Sequence, residues 1–377
     1  GMIPISSGKF TITARAVLET GEETSDVRRV VVAKGAGADN PNAAGYPGEL
    51  DLGLLAVHKP PPERELRPAR TGRLLADTAY LRSGPNVGDD QAGYEMRLQK
   101  NVLVTLVAQI DKTYRVKLSD LESLWVDENA VRLLPKQSPA PQSRINAWTV
   151  RRNEHATQIS SRLEELLPYR VTTSPDGRSL TLKIYGGISN TDWIHHAADD
   201  PWIRHVRWSH PIHGVYQLDV ELRRPVWGYD VRYEKRRLIL ELRDPPVLSP
   251  AQPGGRRQYP SAPTLSLDGL KVCVDPGHPP MGATGPLGTA EHAVNWMMAV
   301  KLKDVLSERG ALVVMSRLDN ETVALHERVD RARAADADLF VSVHANALPV
   351  ADNPFEKNGF GVYYYQPFSL DLAEAVH

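Results

Sequence analysis

The spacing of apolar and polar positions changes character along the chain of 377 residues. Over residues 9–34 and 69–245, short apolar runs alternate with polar positions at a period of two, which is typical of β-strands that bury one face. From residue 269 onwards, continuous apolar runs alternate with segments of helical period, which predicts a parallel sheet covered by helices. The clearest buried strand face comprises Tyr216, Leu218, Val220 and Leu222.

These patterns predict a multidomain protein, in which all-β modules precede an α/β domain. Stretches rich in Pro and Gly separate the modules; residues 35–49 are typical of a flexible linker and residues 59–68 of a stiff one. The predicted segments are a β-hairpin with a linker (1–58), a small barrel (69–135), a β-rich, sandwich-like domain (143–246), a linker (247–268) and the α/β domain (269–377).

Composition excludes several classes of protein. A net charge of −1 gives no basic surface for nucleic acid and no cationic face for a membrane. Cys273 is the single cysteine, so an intrachain disulfide and a cysteine-based zinc site are both excluded, and its place in an apolar run predicts a small buried side chain. Since no apolar stretch reaches 18 residues, we predict no membrane span.

Strands and helices alternate in the α/β domain. We predict strands over 271–275, 311–316, 339–346 and 360–366, and helices over 290–310 and 322–336. Gly310 is typical of a helix C-cap. The predicted buried stripe of the first helix is Val294, Met297, Met298, Leu302, Val305 and Leu306, and that of the second is Leu325, Val329 and Ala332.

Two histidines follow predicted strands of this domain, and a glutamate opens a helix. His278 comes just after the strand over 271–275, and His344 ends another strand, so parallel pairing would bring both to one edge of the sheet. Glu291 begins the helix that starts over the same edge. Two imidazoles and one carboxylate fit a zinc ion with one open position, which is the catalytic pattern and predicts hydrolysis of an amide or similar bond.

Each of these signals alone has an ordinary structural explanation. A histidine after a strand is usually structural, and a glutamate at a helix start complements the helix dipole. The glycine-rich loop over 277–288 could instead hold a phosphate, but it lacks the Gly-Lys-Ser/Thr ending of a nucleotide-binding loop. The histidines of the β-rich block lack helical ligand spacing, so we interpret them as strand-face or interdomain residues: His195, His196, His205, His210 and His213.

Four ordered motifs lie within residues 269–377: "VCVDPGHPPMGATGPLGTAEHAVNW", "VVMSRLDN", "LHERVDRARAADADLFVSVHANA" and "GFGVYYY". They resemble the zinc-dependent N-acetylmuramoyl-L-alanine amidases, which cut the amide between muramic acid and the first L-alanine of peptidoglycan stem peptides. The resemblance implies Zn²⁺ as cofactor and His278, Glu291 and His344 as its ligands at the catalytic centre. It also implies orienting roles for Asn295 and Arg328. Asp275 either supports the loop or a ligand, or serves as a buried turn acceptor.

The β-rich modules carry weaker resemblances. "AYLRSGP" and "LWVDENAVRLL" are similar to bacterial SH3-like domains, for which binding to wall material and a spacer role both remain open. "GYDVRYEKRRLILELRDPP" resembles the accessory domains, called AMIN domains, that precede cell-wall amidases. Peptidoglycan is therefore the expected partner, with a role in cell-wall remodelling or cell separation. The expected location is the cell envelope, periplasmic or secreted, with an export signal already removed.

The resemblance also implies a glutamate acting as general base, which we expect beyond His377. Neither Glu356 nor Glu374 stands in a matching context, and Glu374 is typical of a surface helical residue. One alternative is therefore a non-catalytic wall-binding protein with a truncated or degenerate amidase fold. A second is a metal-independent carbohydrate-binding scaffold in which His278 and His344 are structural.

Overall fold

The structure is a computed structural model. It describes residues 8–17, 23–32, 62–85, 93–196, 200–248, 266–279, 282–285, 287–346 and 359–377, the first two ranges as backbone alone. The chain divides into two compact units. One unit takes in Val57–Pro245 and Gly361–His377, and the other takes in Gly1–Ala56 and Pro246–Phe360. No described helix is both long and apolar enough to cross a membrane.

An antiparallel hairpin lies near the start of the chain. Strand β1 (Gly8–Val17) pairs with strand β2 (Glu23–Val32) over ten residue pairs, so the predicted hairpin is confirmed. Its turn and the predicted flexible linker over 35–49 lie outside the described residues.

Seven antiparallel strands form the first sheet, in the order β5-β4-β8-β7-β6-β3-β9. Alternate residues of its strands are buried, as in β6, where Leu106, Ala108 and Ile110 face the core. The predicted run of short strands is confirmed, while the SH3-like assignment stays a prediction. The strands are β3 (Arg64–Leu74), β4 (Thr78–Arg82), β5 (Tyr94–Gln99), β6 (Leu103–Ile110), β7 (Thr113–Lys117), β8 (Ser123–Asp127) and β9 (Val131–Leu133).

The prediction of a linker over 59–68 is wrong for its last five residues, because β3 begins at Arg64. Arg64 and Glu65 pair with β6, and the Arg64 guanidinium donates to the Gln109 side chain at 2.9 Å. The register then shifts between Glu65 and Arg70. Pro68 lies inside this irregularity, which is where a strand tolerates a residue without an N–H donor.

Nine further strands form two sheets that share one apolar core, in the orders β14-β10-β11-β18-β17 and β12-β13-β16-β15. The predicted buried face of β16 is confirmed, since Tyr216, Leu218 and Val220 are fully buried and Leu222 is 3% exposed. The strands are β10 (Ser143–Arg152), β11 (Ala156–Arg162), β12 (Tyr169–Thr173), β13 (Ser179–Tyr185), β14 (Gly187–His195), β15 (Ile203–Ile212), β16 (Val215–Leu222), β17 (Gly228–Glu234) and β18 (Arg237–Arg243).

A chain of buried hydrogen bonds joins these two sheets. The indole N–H of Trp148 donates to the Tyr216 hydroxyl at 2.9 Å, and that hydroxyl lies 2.9 Å from Thr191 Oγ1. Thr191 in turn donates to the carbonyl of Ile145 at 2.7 Å. Because the Thr191 hydroxyl donates its hydrogen to Ile145, Tyr216 must donate to Thr191. Each of these buried side-chain polar atoms therefore has a partner. Burial raises the pKa of Tyr216, which keeps its hydroxyl protonated.

Residues in and beside the seven-stranded sheet also bond to the two-sheet region. Arg170 forms ion pairs with Glu95 at 2.6 Å and with Glu122 at 2.9 Å, and the Tyr185 hydroxyl donates to Glu122 at 2.9 Å. Apolar side chains from both regions belong to the same core. The two β-regions therefore pack as neighbours within one unit.

Three parallel strands and two helices form the α/β region, with the sheet order β20-β19-β21. The central strand is buried at Val272, Cys273 and Val274, and α1 packs on it through Ala299. Burial, aided by nearby Asp275, raises the pKa of the Cys273 thiol to about 11, so Cys273 behaves as the predicted small apolar residue. The elements are β19 (Lys271–Pro276), α1 (Glu291–Glu308), β20 (Leu312–Met315), α2 (Leu325–Ala334) and β21 (Leu339–Val343).

Gly310 ends α1 as predicted. Its φ of +97° lies in the left-handed region, and the amide of Ala311 donates to the carbonyl of Leu306 at 3.1 Å. A Cβ at Gly310 would overlap the Asp268 carboxylate, so glycine is required there by space as well as by conformation.

The predicted buried faces of both helices are wrong in part. Met297 and Met298 are 56% and 37% exposed, whereas Asn295 on α1 is fully buried. On α2, Leu325 is 70% exposed while Arg328 is buried. Asn295 and Arg328 face the sheet because they donate to main-chain carbonyls and to a carboxylate at its edge. The apolar residues predicted to face the sheet are therefore directed partly to solvent. In α2 the inward face comprises Arg328 and Ala332, and Val329 is 40% exposed.

The prediction of a strand over 360–366 is also wrong, since these residues form no strand and have no ladder partners in the described structure. Tyr363 and Tyr365 are 85% and 86% exposed. Strand propensity is realised through cross-strand packing, which this segment lacks in the described structure. A short 3₁₀ turn and helix α3 (Leu370–Val376) follow, and Phe368 packs edge-on against Tyr229 of the β-rich unit.

We predict that Tyr216→Phe lowers the free energy of unfolding by about 1–3 kcal/mol, because the Trp148 N–H loses its buried acceptor. Tyr114→Phe is the control and should change stability by less than about 0.5 kcal/mol, because the Tyr114 hydroxyl has no hydrogen bond among the described residues. Urea unfolding followed by tryptophan fluorescence measures this, since Trp296 is the single tryptophan outside Val57–Pro245. Equal stability of the two variants would contradict the prediction.

Candidate metal centre

His278 and His344 leave the sheet side by side. Pro276 of β19 pairs with Val343 of β21, and the amide of Gly277 donates to the carbonyl of Val343 at 2.9 Å. His344 directly follows Val343, and His278 lies two residues after Pro276. Both imidazoles lie at the carboxyl edge of the sheet, and their ring centroids are 5.0 Å apart. The parallel arrangement predicted from the sequence therefore brings the two histidines together.

Gly277 allows this approach. A Cβ built on Gly277 would overlap the imidazole of His344 itself, with three ring atoms as its nearest neighbours. The imidazole of His344 therefore lies directly on the main chain of the turn, and no residue with a side chain fits at position 277 without moving His344.

Glu291 reaches the same point from the first turn of α1. The loop before the helix folds back on it, since the Glu291 amide donates to the Ala283 carbonyl at 2.8 Å and the Ala283 amide donates to Glu291 Oε2 at 2.9 Å. The carboxylate is 3.5 Å from Nε2 of His278 and 3.1 Å from Nδ1 of His344. Glu291 is 6% exposed, so solvent screens these contacts weakly.

The charge of Glu291 is favoured despite its burial. Burial alone would raise its pKa, but the hydrogen bond from the Ala283 amide, the contact with His344 and the nearby His278 together hold the pKa below its usual range. A carboxylate that stays ionised while buried is the state that a cation requires of its ligand.

The ligand atoms of His278, Glu291 and His344 all lie within 4.8 Å of one another. Two imidazole nitrogens and one carboxylate oxygen are donors that divalent transition metals accept, so these residues fit the metal that the sequence predicts. No other group of three or more His, Cys, Asp or Glu side chains in the described part of the chain meets the same criterion. Their role as ligands remains a prediction.

Asp275 and Arg328 lie behind the turn and are buried. Asp275 accepts hydrogen bonds from Arg328 Nη1 at 2.9 Å and from Ser342 Oγ at 2.6 Å, and also from Ser316. Arg328 continues to the turn itself, where it donates to the carbonyls of Pro276 and Pro279 at 2.8 and 2.7 Å.

Asn295 lies one helical turn after Glu291 and is fully buried. Its amide Nδ2 donates to the carbonyl of Gly277 at 3.0 Å, which connects α1 to the turn that carries His278. Its Oδ1 is buried without a partner among the described residues.

Arg317, which follows β20, is a further buried residue that the sequence interpretation does not single out. It is 1% exposed and donates from Nε to the carbonyl of Pro276 at 2.7 Å. Its signal in the sequence is an arginine placed directly after a strand end, in "VVMSR", where hydropathy predicts exposure.

Of the two glutamates weighed as a general base, Glu374 lies exposed on α3, as predicted, and Glu356 lies outside the described residues. The histidines of the β-rich domain lie on its strands and loops; for example, His210 Nε2 accepts a hydrogen bond from the Ser189 amide at 3.0 Å.

Comparison with known proteins identifies this region. Residues 272–377 match the family described as N-acetylmuramoyl-L-alanine amidase. The chain is 40% identical over 98 residues to N-acetylmuramoyl-L-alanine amidase LytC of Bacillus subtilis, covering 26% of this chain and 19% of LytC. It is 28% identical over 193 residues to the amidase AmiC of Neisseria meningitidis, covering 44% of this chain and 45% of AmiC.

Among solved structures, the amidase AmiC2 of Nostoc punctiforme is 37% identical over 28% of this chain and 58% of its own chain, with a TM-score of 0.26. The chain thus spans less than half the length of LytC and of the Neisseria AmiC. Within those bounds the resemblance seen in the motifs is confirmed: residues 272–377 match the N-acetylmuramoyl-L-alanine amidase family.

Proposed function

We propose that the chain is a zinc-dependent N-acetylmuramoyl-L-alanine amidase, which hydrolyses the amide bond between muramic acid and the first L-alanine of a peptidoglycan stem peptide. The observation that carries the proposal is the convergence of His278, Glu291 and His344 within 4.8 Å, inside the stretch that matches the amidase family. We also propose that it acts in the cell envelope, periplasmic or secreted, in cell-wall remodelling or cell separation.

The donor set supports zinc as the metal. Zinc accepts imidazole and carboxylate ligands, and three protein ligands leave a position open for water or substrate. When bound, zinc supplies a water of lowered pKa and polarises the scissile carbonyl. His278, Glu291 and His344 would hold it.

The protein's own contribution is to hold these ligands ready. Glu291 stays ionised because the Ala283 amide and the histidines outweigh the cost of burial. His278 and His344 are 27% and 39% exposed at their side chains, so the centre opens to solvent on the histidine side and is closed on the Glu291 side. A polymeric substrate would approach from the histidine side.

The β-rich regions are proposed to bring the chain to the wall, with an SH3-like barrel over 69–135 and an AMIN-like domain over 143–246. Trp193 and Trp208 of the latter support this, because they are 67% and 41% exposed and offer flat apolar surfaces to a ligand.

Glu291→Ala should remove bound zinc, because it deletes the buried carboxylate of the centre. We expect about one zinc per chain in the parent protein and none in the variant, measured by atomic absorption after gel filtration. Glu308→Ala, at the exposed end of the same helix, is the matched control and should keep the metal. A parent chain without stoichiometric zinc would favour the metal-independent scaffold instead.

Gly277→Ala should weaken metal binding by about tenfold or more, because the added methyl displaces His344 from Glu291. Gly285→Ala tests whether any alanine in this loop has the same effect, since its Cβ would meet nothing closer than 3.6 Å. Titration with Co²⁺, followed by its visible absorption, gives both affinities. Equal affinities would show that His344 is not a ligand.

Purified peptidoglycan incubated with the zinc-loaded chain should release stem peptides with new L-alanine amino termini, detected by end-group labelling and mass spectrometry. Glu291→Ala should release none. If the folded, zinc-loaded parent protein releases none either, the non-catalytic wall-binding alternative replaces the enzymatic one.

A further inference from the structure

The turn that presents His278 has an unfavourable backbone conformation. His278 has a φ of +56°, in the left-handed region, which costs a non-glycine residue about 1–3 kcal/mol. The turn therefore depends on contacts from outside itself to keep His278 directed at Glu291.

Arg317 supplies such contacts at three places. Its Nε donates to the carbonyl of Pro276 at 2.7 Å, and its Nη2 lies 3.3 Å from the carbonyls of both Gly277 and His292. Pro276 and Gly277 lead into His278, while His292 follows Glu291 in the first turn of α1. Its Nη1 donates to the carbonyl of Leu318 at 2.9 Å, which fixes the guanidinium to its own strand end. One planar group thus connects the segments that carry two of the three candidate ligands.

The charge of Arg317 makes this arrangement unusual. Arg328 pairs with Asp275, but the acceptors of Arg317 among the described residues are all main-chain carbonyls. Burial, and then repulsion by Arg328, lower the pKa of Arg317. A buried cation that makes no hydrogen bond to a carboxylate is costly, and an apolar side chain could fill the same volume more cheaply. What only arginine adds is a rigid fork of donors in fixed directions.

We propose that Arg317 is a positioning residue of the metal centre: its guanidinium fixes the His278 turn against the first turn of α1, and thereby sets the affinity of the centre for a divalent metal. This inference rests on the proposed function, since it takes His278 and Glu291 to be metal ligands.

Arg317→Lys tests the proposal because it keeps the positive charge and removes the fork. Arg331→Lys is the matched control: Arg331 donates to the carbonyl of Ser316 at 2.9 Å, one residue before Arg317, and makes no hydrogen bond to the turn in the described structure. The full chain is titrated with Co²⁺. We expect Arg317→Lys to bind Co²⁺ about tenfold more weakly and with an altered visible spectrum, while Arg331→Lys matches the parent protein.

The outcomes separate this inference from the proposed function. If folded Arg317→Lys keeps the parent affinity and spectrum, the inference is overturned and the metal centre stands. If the parent chain binds no Co²⁺, the proposed function is overturned and the inference with it. Arg317→Gln is the second variant; if circular dichroism shows that neither variant folds without metal, Arg317 serves folding rather than the centre, which also overturns the inference.

Discussion

The candidate centre depends above all on the in-register parallel pairing of β19 with β21. Pro276 lies opposite Val343, so the residues that follow each strand emerge side by side. A slip of one residue would turn every side chain of β21 to the opposite face. A slip of two would carry His344 by about 6.6 Å, farther than the 4.8 Å that encloses the three ligand atoms. The register of two strands therefore decides whether the three side chains form a group at all.

A single buried carboxylate reinforces that register. Asp275 on β19 accepts hydrogen bonds from Ser342 on β21, from Ser316 just after β20 and from Arg328 on α2. These contacts connect all three strands and a helix through one side chain. Removing one partner of a buried pair of this kind costs about 3–5 kcal/mol. The carboxylate stabilises the sheet edge, and the sheet edge directs the histidines.

The sequence predicts well that His278, Glu291 and His344 come together, because each stands where an element starts or ends and parallel strands meet at a common edge. It predicts the helix faces poorly, because hydropathy assigns Arg328 to solvent and Met297 to the core, the reverse of what the structure has. Arg317 escapes notice for the same reason. Polar side chains are buried here because they donate to main-chain carbonyls and to the Asp275 carboxylate. The spacing of apolar residues in the sequence gives no information about such acceptors. The prediction of a strand over 360–366 fails for a different reason, since its aromatic residues have strand propensity but no ladder partner in the described structure.

Two ion pairs made by α2 in the described structure respond differently to dissolved salt. Ions screen charges over about 8 Å at physiological ionic strength, but only where solvent reaches the pair. Arg331 and Glu321 are 42% and 33% exposed, so their attraction fades as salt rises. Arg328 and Asp275 are 3% and 7% exposed, and their attraction persists. High salt therefore weakens the ion pair on the outer face of α2 but not the one on its inner face. The turn that carries His278 keeps its contact with Arg328 across a wide range of ionic strength.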